Sequence, residues 1–151
     1  EAVEIALQYV DDISSRITGF ANNIYNPEGG THITGFKTAL TRTLNTYAKK
    51  SSSSKDDGDT FTGDDVLEGL TAVISEKLAN PQFEGQTKAK LGNPEVRTAV
   101  ETVFGDAFTI WMEEHPRVAE KMLEKCLLAS RARLAARAAR DTVLRKGRLR
   151  A

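Results

Sequence analysis

Gln86, Thr87 and Lys88 stand in a row inside PQFEGQTKAKLGNPE (81–95), between Gly85 and Gly92 and with a proline near each end. Three consecutive polar side chains bury nothing, so this stretch is not core. A lysine on a loop presents a compact positive charge, and a neighbouring amide adds a second donor. That pairing suits the oxygens of a terminal phosphate, where developing negative charge needs a fixed cation. The same residues also suit an ordinary solvated connection, since lysine-bearing surface loops are common. Composition alone leaves both readings open.

Little else in the chain has the spacing of a self-contained active site. There is no Gly-rich phosphate loop at a strand-to-helix junction, no nucleophile elbow and no His/Cys metal pattern. His32 and His115 are far apart and read as turn or packing residues. Asp64 and Asp65, directly after Thr62-Gly63, read as helix-capping carboxylates rather than a metal pair. Cys126 is the single cysteine, so it forms no internal disulfide; it reads as a packed thiol, and a reducing, cytosolic setting is expected. Tyr9, Tyr25 and Tyr47 sit in no motif that makes a cleaving nucleophile. These residues argue against an autonomous enzyme.

The elements that must position the loop are read from periodicity. Val3, Ile5, Leu7 and Tyr9 alternate through EAVEIALQYV (1–10), the period of a half-buried strand. RITGFANNIY (16–25) is read as a second strand, followed by a turn at NPEGG (26–30). From Thr34 the period becomes helical: Phe36, Leu40, Leu44 and Tyr47 share one face, with Lys37, Arg42 and Lys49 off that stripe. KKSSSSKDDGD (49–59) is polar low-complexity sequence, expected as a mobile loop. Thr62-Gly-Asp-Asp opens a short helix, and LTAVISEKL (70–78) is a third strand. Pro94 begins a long helix whose apolar stripe is read as Val96, Val100, Val103, Ala107, Ile110 and Trp111. A second long helix runs from Pro116 and becomes Arg- and Ala-rich, with Arg133, Arg137 and Arg140 at helical spacing. This order predicts one α+β sandwich, a small sheet with helices on one face.

A chain of 151 residues is one domain in size, and both its ends read as cuts from a longer polypeptide. Its formal net charge of zero hides an asymmetry. Residues 1–114 carry 10 Lys/Arg against 18 Asp/Glu, and residues 115–151 carry 11 against 3, a balance of −8 facing +8. The basic tail would respond to polyanions or to an acidic neighbour, and salt would weaken that response. No apolar run is long enough to span a bilayer, so no membrane role is expected.

Six blocks in order carry a resemblance: FANNI (20–24), EGGTHITGFKTALTRTLN (28–45), TGDDVLEGLTAVIS (62–75), PQFEGQTKAKLG (81–92), EVRTAVE (95–101) and the terminal ARxxAAR-like helix. Together they resemble the transducer domain of bacterial DNA gyrase B, or of the related topoisomerase IV B protein, in the type IIA topoisomerase family. The resemblance implies a fold shared with a small-subunit ribosomal protein domain. It places the chain between an ATP-binding domain and the metal-binding part of a DNA-cleavage core. It implies that the loop reaches the ATP site, Lys88 as the catalytic contact to the γ-phosphate, Gln86 assisting and Thr87 between them. It further implies double-stranded DNA as partner, with Arg42, Lys37 and Lys49 as candidates for lining the DNA cavity. An A-type subunit in an A2B2 assembly, and Mg2+ held outside this chain, complete the expectation, in the bacterial cytoplasm. On this reading residues 116–151 form a long basic helix leading towards the cleavage domain, and the isolated chain hydrolyses no ATP. Two other readings stand beside it: a stand-alone basic nucleic-acid-binding module, and a scaffold whose basic helix docks an acidic protein.

Overall fold

The computed structural model describes residues 2–51 and 60–149. Four strands, β1 (Ala2–Tyr9), β2 (Arg16–Ala21), β3 (Ile24–Tyr25) and β4 (Leu70–Lys77), form one sheet in the order β1-β4-β2-β3. β4 runs antiparallel to β1 and parallel to β2, so the chain crosses over between β2 and β4 through the helix α1 (Thr31–Lys50) and the short α2 (Gly63–Leu67). Two helices follow, α3 (Pro94–Glu114) and α4 (Pro116–Leu149), with a small hairpin, β5 (Phe83–Glu84) and β6 (Lys90–Leu91), before them. This is the expected mixed α/β layout.

Alternation in β1 puts Val3, Ile5, Leu7 and Tyr9 on the partly buried side. Their register partners in β4, Glu76, Ile74, Ala72 and Leu70, are all buried, so both strands turn one face to the helices. The opposite face carries Glu4, Gln8 and Thr71 and stays exposed. Phe36, Leu40 and Leu44 of α1 are fully buried with Val96, Val100 and Met112 of α3. Phe104 and Phe108 extend this seam, with ring centroids 4.9 Å from Phe36 to Phe104 and 5.1 Å from Phe104 to Phe108. Each such buried side chain contributes about 2 kcal/mol over leaving it exposed.

Three expectations need correction. RITGFANNIY is not one strand: Asn22 and Asn23 both take positive φ, 49° and 65°, and turn β2 back on β3. Asparagine tolerates that left-handed region, which is what a two-residue hairpin turn requires. The α3 stripe is rotated, because Val103 and Ile110 are 51% and 57% exposed and Ala107 is exposed, whereas Phe104 and Phe108 are buried. The aromatic rings remove more apolar surface from water, so they decide which face turns inward. Finally, 49–59 is not one loop: Lys49 and Lys50 end α1, Ser51 caps it, and residues 52–59 lie outside the described residues.

α4 is 34 residues long, about 50 Å at helical rise. Ala119, Met122, Leu123, Cys126 and Ala129 bury its first half, while every residue from Leu134 to Arg148 is exposed.

Candidate functional site

Residues 81–93, read as a loop, form a hairpin fastened at three levels. At its base, Asn93 accepts from the Gln82 N–H at 2.6 Å and donates to the Asn80 carbonyl at 3.0 Å. Asn93 also donates to Glu95, which holds that carboxyl below the usual carboxylate range. Along its side, the Leu91 N–H donates to the Gly29 carbonyl at 3.1 Å, and the Glu28 N–H donates to the Ala89 carbonyl at 2.9 Å. The contact is close: Gly30 has φ 141°, and a Cβ there would lie 2.4 Å from the Leu91 carbonyl oxygen. Only glycine lets the hairpin backbone lie this tightly on the turn that opens α1.

At the tip, Gln86, Thr87 and Lys88 are all exposed, and Ala89 directly behind them is buried. Gly85 and Lys88 both take positive φ, 84° and 57°. For lysine this costs about 1–2 kcal/mol, and it persists only where the surroundings hold it. Here the Asn26 side-chain amide donates to the Lys88 carbonyl at 2.8 Å. The Lys88 ammonium rests 5.9 Å from the Phe83 ring centroid on the same hairpin, near the outer limit for a cation–π contact. The Lys90–Glu84 pair across the hairpin, at 3.4 Å and well exposed, contributes little. The result is a cationic tip with exposed side chains on a fixed backbone.

The other predicted cations fall elsewhere. Lys37 is exposed and shares a polar cleft of about 300 Å³ with Asn26, Glu28, Thr34 and Lys90, beside the hairpin's root. Arg42 is exposed on α1 and lies over α3, where its Nη2 sits 3.2 Å from the place a Cβ would occupy on Gly105. Lys49 is exposed in the last turn of α1, complementing the negative end of the helix dipole with Lys50. The structure therefore spreads the three along α1 and brings Lys37 alone near the hairpin's root.

Arg133 is not a free cation of the tail. Its guanidinium meets the Asp65 carboxylate at 3.1 Å, and Asp65 is only 2% exposed. Asp65 also completes a capping box with Thr62, accepting from the Thr62 N–H at 2.9 Å, so the capping role read for this carboxylate holds. Arg137 and Arg140 are exposed. Cys126 is buried, and burial pushes its thiol up to about 12, which removes it as a nucleophile. His115 ends α3, its Nδ1 2.8 Å from the Trp111 carbonyl and its ring stacked on Trp111. An apolar cleft of about 390 Å³ between β1 and α3, lined by residues such as Val3, Leu7, Phe104 and Trp111, offers no acid or base. Among the described residues no three His, Cys, Asp or Glu side chains group as metal ligands.

Sequence reasoning missed Asn26, Gly30 and Asn93, the residues that fasten the hairpin, and read His32 only as a turn or packing residue. The one available signal was the density of turn and polar types in NPEGGTH.

Fold and site thus define a mixed α/β domain that offers a cationic hairpin on a rigid mount. The chain belongs to the DNA gyrase B family, whose profile matches residues 1–142. It is 54% identical over 147 residues to the DNA gyrase B protein of Enterococcus faecalis, and 58% identical over 145 residues to that of Myxococcus xanthus. These matches cover 97% and 96% of this chain but 23% and 18% of those proteins, so it spans less than a quarter of their length. Among solved structures it is similar to the 43K ATPase domain of Thermus thermophilus gyrase B in complex with an aminocoumarin. The TM-score is 0.85 and the identity 48%, over 93% of this chain and 37% of that one. The topoisomerase IV ATP-binding domain of Francisella tularensis follows at TM-score 0.78 and 32% identity, over 87% and 36% of the chains.

Proposed function

We propose that this chain is the coupling, or transducer, segment of a gyrase B-type protein and that its hairpin tip completes an ATP site formed mainly by a preceding domain. The observation that supports this most directly is the tip itself: Gln86, Thr87 and Lys88 exposed together on a backbone fixed to the root of α1. Lys88 contacts the γ-phosphate, Gln86 donates to a second oxygen and Thr87 spaces them. The fit is chemical: phosphoryl transfer spreads negative charge over the equatorial oxygens, and an exposed ammonium on a fixed backbone meets it with little reorganisation. Delivering that ammonium from another domain makes hydrolysis depend on how the domains sit, which couples nucleotide state to movement.

The mount leads into α1, whose exposed Arg42, Lys37 and Lys49 are candidate contacts to the backbone of the transported duplex. Such contacts carry charge but no base information. α4 leads onward from the body towards the DNA-cleavage part of a cytoplasmic A2B2 assembly with an A-type subunit. Mg2+ belongs to the rest of that enzyme, and the isolated segment hydrolyses no ATP.

Lys88→Ala in the complete protein is the test. ATP turnover falls about 100-fold or more, the scale of removing one preorganised charge donor, while the thermal unfolding midpoint stays put. Normal turnover in that variant overturns the proposal.

A further inference from the structure

Asn26 and His32 form a buried polar pair behind the hairpin tip. Asn26 is 2% exposed and His32 fully buried, so each polar atom must find a partner or carry a penalty. The Asn26 N–H donates to the Gly19 carbonyl at 2.8 Å, and its side-chain amide donates to the Lys88 carbonyl at 2.8 Å. Its backbone carbonyl accepts from the Gly29 N–H at 3.0 Å, and its side-chain Oδ1 lies 3.1 Å from His32 Nε2.

These contacts fix the protons. The Lys88 carbonyl can only accept, so Asn26 must turn its NH2 towards it and its oxygen towards the histidine. His32 must then donate from Nε2. Burial holds its pKa down to about 4, so near neutral pH the ring is uncharged with its proton on Nε2. Gly19 makes room for this arrangement, since a Cβ there would lie 2.7 Å from His32 Nε2. A strand and a helix thus converge on Asn26 in the turn, and Asn26 holds the carbonyl of Lys88, a residue at an unfavourable φ.

We infer that Asn26 and His32 are positioning residues that lock Lys88 in its left-handed conformation and so set the aim of its ammonium. This rests on the role proposed for Lys88 and names the device that makes it effective. Asn26 makes the contact; His32 acts through Asn26 by fixing which way the amide faces. Neither touches the nucleotide.

The experiment is steady-state ATP turnover by the complete protein in its assembly. Asn26→Ala lowers kcat about 10-fold to 100-fold with KM for ATP within about twofold, as expected for a displaced catalytic group. The combined Asn26→Ala, Lys88→Ala variant is no slower than Lys88→Ala alone. His32→Gln, which can still donate to Asn26 Oδ1, keeps most of the rate, and His32→Leu does not. Where Asn26→Ala or His32→Leu fails to fold, Asn26→Asp and His32→Gln decide: the carboxylate faces the Lys88 carbonyl without a donor and slows turnover, the amide preserves it. An unchanged kcat in a folded Asn26→Ala, or losses that multiply in the combined variant, overturn the inference and leave the role of Lys88 intact. Normal turnover in Lys88→Ala overturns the reading beneath it instead.

Discussion

The hairpin tip and the C-terminal helix both display cations, and they do so in opposite ways. At the tip a short backbone is tied down, and the Lys88 side chain is left exposed. In α4 the order reverses: Arg133 is committed to Asp65, and beyond it the described residues, 134–148, are all exposed. A cation serves catalysis only if its position is known to a fraction of an ångström, which requires an immobile mount. Long-range attraction of a polyanion needs no such accuracy. Under the proposed function, the contrast separates a side chain placed for contact from side chains placed for field.

The sharpest break in that contrast is to exchange consequences. Lys88→Ala is expected to remove about 100-fold of turnover and nothing from stability, since the side chain is exposed. Arg133→Ala is expected to do the reverse: it strips the charge-assisted bonds from a buried carboxylate that also caps α2. The loss is about 2 kcal/mol in chemical denaturation. If Arg133→Ala left the unfolding free energy unchanged, the tail would be less firmly docked than its geometry implies.

How much of this was legible beforehand follows from distance along the chain. Alternation in β1, the Phe36–Leu40–Leu44 stripe and the Thr62 cap are local patterns, and each appears where the periodicity places it. α3 offered two overlapping stripes, Val103/Ile110 and Phe104/Phe108, and the aromatic one turns inward because its rings bury more surface and meet Phe36 of α1, a contact that periodicity does not show. Gln86, Thr87 and Lys88 stood out as polar and cationic, but their meaning came from resemblance, because a lysine loop has no chemistry until its surroundings are known. The residues that hold them were not legible. Asn26 lies 62 positions from Lys88, and Asp65 lies 68 from Arg133. Hydrogen bonds at that separation leave no period to read.

A smaller effect sharpens the claim that the mount is rigid. His32 has its pKa lowered by burial from 6.5 to about 4. Between those values the unfolded chain binds a proton that the folded chain refuses, so stability falls as pH drops from 6.5 to 4 and this contribution then levels off. Above 6.5 it is fully present. Denaturant unfolding across that range should show the slope in the native sequence and lose it in His32→Gln. An equal slope in both would mean that the imidazole is freely protonated and the amide of Asn26 is not held by it.

The smallest expected effect concerns Arg137 and Arg140, exposed on the bare half of α4. Replacing both with Gln should move the unfolding free energy by no more than about 0.5 kcal/mol, since neither side chain is buried. In the complete protein the same change should make duplex binding less steeply dependent on salt, by about one counterion for each arginine that meets a phosphate. An unchanged slope assigns both residues to helix solubility alone. A loss of stability would group them with Arg133, as charges already committed to the body of the domain. A shallower slope at constant stability groups them with Lys88, as charges held back for an anion outside it.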